Sequence, residues 1–373
     1  MVRILWIRPD AIGDGLLSSS MLPYIKNHYD NAHVTVLCQQ HLVQLYAHCP
    51  FIDNVIGFDK KRFVTDGAYR CQLLACLTDQ QFDYALNSVY SREASMDCLA
   101  ITIGARHVVG FSIAKKRTFF DFTPSGNAGY TQLITSIGNK PELDRHKDFL
   151  QALGICNVDR LAPQIWTSEV DEAFAQQFFS DHNLDQKTVI AFFAGAQSAH
   201  RLYTQYGQAL HKAFAGQDVT VIALGASSDA QINAVNCADL TCKVIDLSGK
   251  TTLTQTAVLL KRCRLAFGAE TGLAHMACAV GLPNVILLGG GHFGRFMPYS
   301  PLTSAVILPL SCYGCDWSCK YKKAYCVQDI SPDLLAHALQ QTLATSTTSK
   351  PRLFVQHRDQ YKKGLFKPRW ATK

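Results

Sequence analysis

Three stretches of this sequence carry side chains at spacings that can do chemistry. The first runs from Phe267 to Leu288. A strand ending at Phe267-Gly268-Ala269-Glu270 passes into Thr271-Gly272-Leu273-Ala274-His275, the start of a small-residue helix that Gly281-Leu282-Pro283 stops. The first amides of a helix lack partners within it, so such a start binds phosphate, and Gly272 lets a ligand approach the backbone. Glu270 sits at the rim, placed for sugar or ribose hydroxyls. A tightly packed βαβ unit without a ligand reads the same way. The second stretch is the turn after the first strand, Asp10-Ala11-Ile12-Gly13-Asp14. A carboxylate at Asp14 can act as general base on an acceptor hydroxyl, or cap the next helix; Asp10 is its rival. The third is the run Cys312, Cys315, Cys319 and Cys326, four thiols within fifteen residues. Four thiolates so close can hold zinc or iron, or they form a reduced, loop-packing cluster. We expect a structural metal there, with Lys320, Lys322 and Lys323 offsetting part of the thiolate charge.

A fourth pattern misleads. Gly289-Gly290-Gly291-His292-Phe293-Gly294 spells GxGxxG after a strand, but Pro298 and Pro301 follow too soon for it to open a helix. It also ends the second half of the chain instead of forming a first βα turn, so a dehydrogenase is not indicated.

The elements that must position these residues alternate strand and helix. Strands are expected at Val2–Ile7, His33–Cys38, Asn54–Phe58, Asp83–Asn87 and His107–Phe111, and the pattern restarts at Thr188–Phe193, Val219–Leu224, Cys242–Asp246, Arg264–Phe267 and Asn284–Leu288. Such alternation predicts α/β architecture, with two doubly wound parallel sheets facing a central cleft. The expected boundaries are 1–163, 164–330, a helix over 331–345 and a tail over 346–373. In the helix, Ser331 caps, Pro332 takes the first position, and Leu335, Leu339 and Leu343 form one stripe. That helix is expected to pack back across the first domain.

Composition closes off other classes. At 373 residues, with 48% hydrophobic and 17% charged side chains, the chain is globular and long enough for two domains. It has no apolar run of the ~18 residues that a spanning helix needs, and no signal-peptide pattern at its start. A cytoplasmic protein without disulfides is expected, its ten other cysteines being reduced thiols. The formal charge of +7 resides entirely in residues 350–373, where five Lys and three Arg face only Asp359. With Leu353, Phe354, Tyr361, Leu365, Phe366 and Trp370 among them, these cations suit an anionic surface, or they form a solvated tail.

Together these residues resemble glycosyltransferase family 9, the ADP-heptose:lipopolysaccharide heptosyltransferases. The resemblance rests on Ile4-Leu5-Trp6-Ile7-Arg8 with Ala11-Ile12-Gly13-Asp14, on Gly195-Ala196 with Arg201 and Tyr203, and on Val244 to Leu253. It rests further on Glu270-Thr271-Gly272-Leu273-Ala274-His275 and the cysteine-rich ending Cys312 to Ser331. It implies a GT-B fold and inverting transfer of heptose from ADP-heptose to a lipid A–Kdo type acceptor of the lipopolysaccharide inner core. No catalytic metal and no nucleic-acid partner are implied. By position, Asp14 would be the base and Arg8 would serve the acceptor. Thr271, Gly272 and Leu273 would hold the diphosphate through backbone amides, with Glu270 and His275 in the same motif. Arg201 would neutralise the leaving diphosphate, Asp229 would lie near the ribose, and Thr251 would line the adenine pocket. Glu270 stands where the family has Asp, and Arg201 where it has Lys. The basic tail, outside the resemblance, would dock the enzyme peripherally on the inner face of the inner membrane.

Overall fold

Strand β1 (Arg3–Arg8) is buried along its length after the first residue, as a strand covered on both faces of a parallel sheet must be. It is joined by β2 (His33–Gln39), β3 (Asn54–Phe58), β4 (Tyr84–Asn87), β5 (His107–Phe111) and β6 (Gln132–Ile134). All pair in parallel, in the order β3-β2-β1-β4-β5-β6. The structure, a computed structural model, describes residues 1–113, 122–138, 140–345 and 349–356. It divides into two units, Met1–Trp166 and Thr167–Lys373. The end of the first is tied down locally: Ser19 Oγ and the backbone of Gln164 exchange hydrogen bonds of 2.8 and 2.9 Å, and Trp166 meets Phe51 edge-on.

The second unit repeats the plan with β7 (Thr188–Phe193), β8 (Val219–Ala223), β9 (Lys243–Asp246), β10 (Leu265–Ala269), β11 (Asn284–Leu287), β12 (Thr303–Ile307) and β13 (Arg352–Val355). The order is β13-β12-β11-β10-β7-β8-β9, again all parallel. At the centre, β10 lies so close to β7 that a Cβ on Gly268 would sit 1.9 Å from the Phe193 carbonyl oxygen. Only glycine fits there.

All ten expected strands are present, and two expectations about the chain's end are corrected. The helix Pro332–Ala344, capped by Ser331 as expected, packs within the second unit. Its Leu335 and Leu339 are fully buried in one core with Leu210, Ala213 and Phe214 of the helix Tyr206–Phe214. A stripe of leucines specifies that a face is buried, not which sheet buries it. The second correction concerns the tail. Residues Arg352–Val355, assigned to a free basic tail, form edge strand β13 beside β12. Phe354 packs against His337, and Gln356 Oε1 accepts from the Ser331 amide at 2.6 Å. Leu353-Phe354-Val355 is a short apolar strand signal, with Pro351 just before it where no ladder donor is needed. The six cations from Arg358 onward lie outside the described residues. Among the described residues, no helix is long and apolar enough to cross a membrane.

Candidate functional site

In the second unit the sheet order reverses between β7 and β10, and the carboxyl ends of strands at such a switch are where α/β sheets take ligands. The loops there carry Arg201, on the turn Ala199–Arg201 after β7, and Glu270, directly after β10. Arg201 Nη2 donates to the Glu270 carbonyl at 2.7 Å and to its Oε2 at 3.0 Å. Burial pushes the Glu270 carboxyl up to about 7, against the opposing pull of Arg201. Next along the chain, Thr271 takes extended backbone as the cap of helix Gly272–Ala279, whose first turn has no acidic residue and no side-chain cap. Thr271, Gly272 and Leu273 are half-buried. The positive end of the helix dipole therefore stands beside the Arg201 guanidinium. His275 is 4% exposed and stacks on Tyr299; burial pushes it down to about 4, so it is neutral at neutral pH.

Two further loops close the group. The Asp229 carboxylate fills the space that side chains at Gly195 and Gly225 would occupy, 2.4 Å and 2.8 Å from their Cβ positions, and accepts from the Ala226 amide at 2.9 Å. The hydroxyls of Thr251 and Thr256 lie 2.8 Å apart. Behind both, fully buried Asn233 accepts from the Ala194 amide at 3.0 Å and donates to the Leu224 carbonyl at 3.0 Å and Ser248 Oγ at 2.9 Å. One amide thus ties the loops after β7, β8 and β9.

In the first unit the order reverses between β1 and β4. Arg8, at the end of β1, is 2% exposed. Its Nη1 donates to Ser88 Oγ, just past β4, at 3.0 Å, and its Nη2 pairs with Asp10 and donates to the Asp14 carbonyl at 3.2 Å. These contacts hold the loop that bears Asp14. Asp14 occupies the first turn of helix Ile12–Ser19, whose N-cap is Ala11. Asp10 is engaged with Arg8, and burial raises its carboxyl while Arg8 pulls it down. Of the two rival carboxylates, Asp10 is the one paired with Arg8.

The sequence pattern of glycosyltransferase family 9 (heptosyltransferase) matches residues 71–325, more than half of the chain, including Arg201, Asp229, Thr251 and the segment Glu270 to His275. The chain belongs to glycosyltransferase family 9. It is 24% identical over 305 residues to the lipopolysaccharide core heptosyltransferase OpsX of Haemophilus influenzae, covering 80% of this chain and 82% of the relative. A family 9 glycosyltransferase structure from Veillonella parvula matches with a TM-score of 0.74 and 21% identity, over 92% of this chain and 98% of that one. The E. coli ADP-heptose LPS heptosyltransferase II matches with a TM-score of 0.68 and 20% identity, over 92% and 99%. The two parallel-sheet units of this glycosyltransferase are the GT-B fold of those structures.

The cysteine-rich segment of the glycosyltransferase departs from its expected arrangement. Among the described residues, no group of three or more His, Cys, Asp or Glu side chains is placed to hold a metal ion. Cys326 is buried, accepts from the Gly290 amide at 3.4 Å and has its thiol pushed up to about 11. Cys319 lies 3.7 Å from the Lys323 carbonyl. As placed, Cys312, Cys315, Cys319 and Cys326 do not form a zinc or iron ligand set. What the segment does supply is aromatic. Trp317 lies against Arg201, with the guanidinium carbon 4.6 Å from the ring centre. Trp317 and Asn233 are the site residues that sequence reasoning missed. The misleading glycine run was the available signal for Trp317.

Proposed function

We propose that this family 9 enzyme transfers heptose, with inversion, from ADP-heptose to the lipopolysaccharide inner core on a lipid A–Kdo type acceptor. The observation that carries the reading is the pairing of a guanidinium and an unblocked helix N-terminus, Arg201 beside Gly272–Ala279, at the β7–β10 switch. That pair suits a diphosphate. The similarity to lipopolysaccharide core heptosyltransferases supports the sugar and the lipopolysaccharide core as acceptor. In the reaction the acceptor hydroxyl oxygen bonds to the anomeric carbon while the bond from that carbon to the diphosphate oxygen breaks. ADP leaves with the electron pair, and Asp14 takes the hydroxyl proton. The amides of Thr271, Gly272 and Leu273, with Arg201, stabilise the departing charge. Asp229 serves the ribose, Thr251 the adenine side and Glu270 the sugar, with His275 behind them. Residues beyond Gln356 supply the cations for peripheral contact with the anionic inner leaflet; removing residues 357–373 weakens binding to anionic vesicles at low salt, and unchanged binding refutes that contact.

The deciding experiment measures ADP release from ADP-heptose with lipid A–Kdo acceptors bearing zero, one or two heptoses. Release that requires one of these acceptors supports the reading. Silence with all three, from folded protein, refutes it and turns the search to other nucleotide sugars, for which the longer Glu270 side chain is the motive.

Glu270 gives this reading a pH signature. Its folding contribution is fully present below the ordinary value of 4.5 and is lost as the pH rises through about 7. For ADP the sign is the same, because the carboxylate competes with the diphosphate for Arg201. ADP affinity is expected to fall by about ten- to twentyfold between pH 7 and pH 8.5, as one proton is lost from a group titrating near 7. Glu270→Gln flattens that profile in a calorimetric titration. An equally steep profile in the variant assigns the proton elsewhere.

A further inference from the structure

We infer that Trp317, presented by the cysteine-rich segment, positions Arg201 for the donor diphosphate and so sets how strongly the enzyme favours a diphosphate over a monophosphate. The inference rests on the reading of Arg201 as the diphosphate-binding cation. It explains features of the fold that the reaction itself leaves unaccounted for.

The first is the glycine run. A Cβ on Gly289 would lie 2.5 Å from the Trp317 ring, one on Gly291 2.4 Å, and one on Gly290 2.2 Å from the Tyr313 ring. The triplet is a bed for two aromatic rings carried in from more than twenty residues downstream. Gly314 and Asp316 amides donate to the Gly290 and Gly291 carbonyls at 2.8 and 3.1 Å, fixing the segment to that bed. His292 Nε2 lies 2.7 Å from Asp316 Oδ1 and adds a tether.

The second is cost. Trp317 adopts φ +58 and Asp316 φ +52, left-handed backbone that is unfavourable for a bulky side chain. The Trp317 indole Nε1 is also buried with no hydrogen-bond partner among the described residues. Backbone strain and an orphaned donor at one residue persist where the surroundings hold them for a purpose. Here the ring lies beneath the Arg201 guanidinium, and Gly289, Val327, Ala196 and Glu270 line the same small crevice with both. Glu270 alone, holding Arg201 by two bonds, would draw the cation toward its own carboxylate. An indole face gives the cation a second attractive surface that does not compete as an anion. A guanidinium so seated is already in place when the diphosphate arrives, and its planar fork matches phosphate oxygens.

The test compares ADP and AMP binding by calorimetry in wild type, Trp317→Ala, Trp317→Phe, Arg201→Ala and the double variant Trp317→Ala/Arg201→Ala. Trp317→Ala is expected to weaken ADP binding about tenfold, the span of a desolvated cation–π contact, while AMP binding stays within about twofold. Trp317→Phe, which keeps a ring face, recovers most of the loss. The double variant binds ADP no more weakly than Arg201→Ala alone. Gly291→Ala, which pushes the indole off its bed, reproduces Trp317→Ala. Equal losses for ADP and AMP reduce Trp317 to a structural residue and overturn the inference, as do additive losses in the double variant. An Arg201→Ala enzyme with unchanged ADP affinity overturns instead the reading of Arg201 on which the inference stands.

Discussion

Asp14→Asn is expected to lower the rate of acceptor-dependent ADP release by about 10²–10⁴, the range for loss of a positioned general base, while ADP affinity stays within about twofold. The split follows from placement. Asp14 stands on the first unit, after β1, and the groups assigned to ADP all stand on the second. The neighbouring Asp10 provides the control. Asp10 forms an ion pair with Arg8, whose side chain is 2% exposed, so Asp10→Asn strands a buried cation and costs about 3–5 kcal/mol of stability. It is therefore seen first as a lowered melting temperature, and the two variants are compared at temperatures where both remain folded. Should Asp14→Asn turn over normally and Asp10→Asn at folded temperatures not, the base is Asp10.

That contrast shows what the sequence could and could not say. The alternation of strands and helices was legible because parallel strands buried on both faces are nearly continuous apolar runs, as in Val189-Ile190-Ala191-Phe192-Phe193, all buried. The helix start at Thr271-Gly272 was legible for a related reason: a strand, a glycine and a small-residue helix follow one another without a gap. Partners were not legible. Nothing local distinguishes Asp10 from Asp14 until Arg8 and Ser88, eighty residues apart, are brought together by β1 and β4. Gly289-Gly290-Gly291 was read through a motif that it only spells, because the rings it accommodates enter from Tyr313 and Trp317. The cysteines around Trp317 drew the reading toward a metal and away from the indole between them. β13 was hidden by its neighbours, since Arg352-Leu353-Phe354-Val355 opens a strongly basic stretch and a strand of four carries little periodic signal.

Asn233 was invisible for the same physical reason, and its removal is expected to have a large effect on both stability and ADP binding. A lone Asn inside the helix Ala230–Cys237 has no pattern to betray it. In the structure its amide is fully buried and makes three hydrogen bonds, to the Ala194 amide, the Leu224 carbonyl and Ser248 Oγ. Asn233→Ala leaves those three groups unpaired in a packed interior. At about 1–3 kcal/mol for each stranded group, with partial relaxation, the loss is about 3–5 kcal/mol. For a unit of this size that lowers the melting temperature by about 10 °C or more. Asn233→Asp does not rescue it, because a carboxylate keeps the acceptor for Ala194 but offers no donor and sets a charge against the Leu224 carbonyl. The functional loss follows from the loops involved. Gly195 follows Ala194, Gly225 follows Leu224 and Thr251 lies three residues past Ser248, so the three tied loops carry the walls around Asp229 and Thr251. ADP binding in Asn233→Ala therefore weakens even at temperatures where the unit remains folded, and a melting temperature and ADP affinity both equal to wild type would remove Asn233 from the site's support.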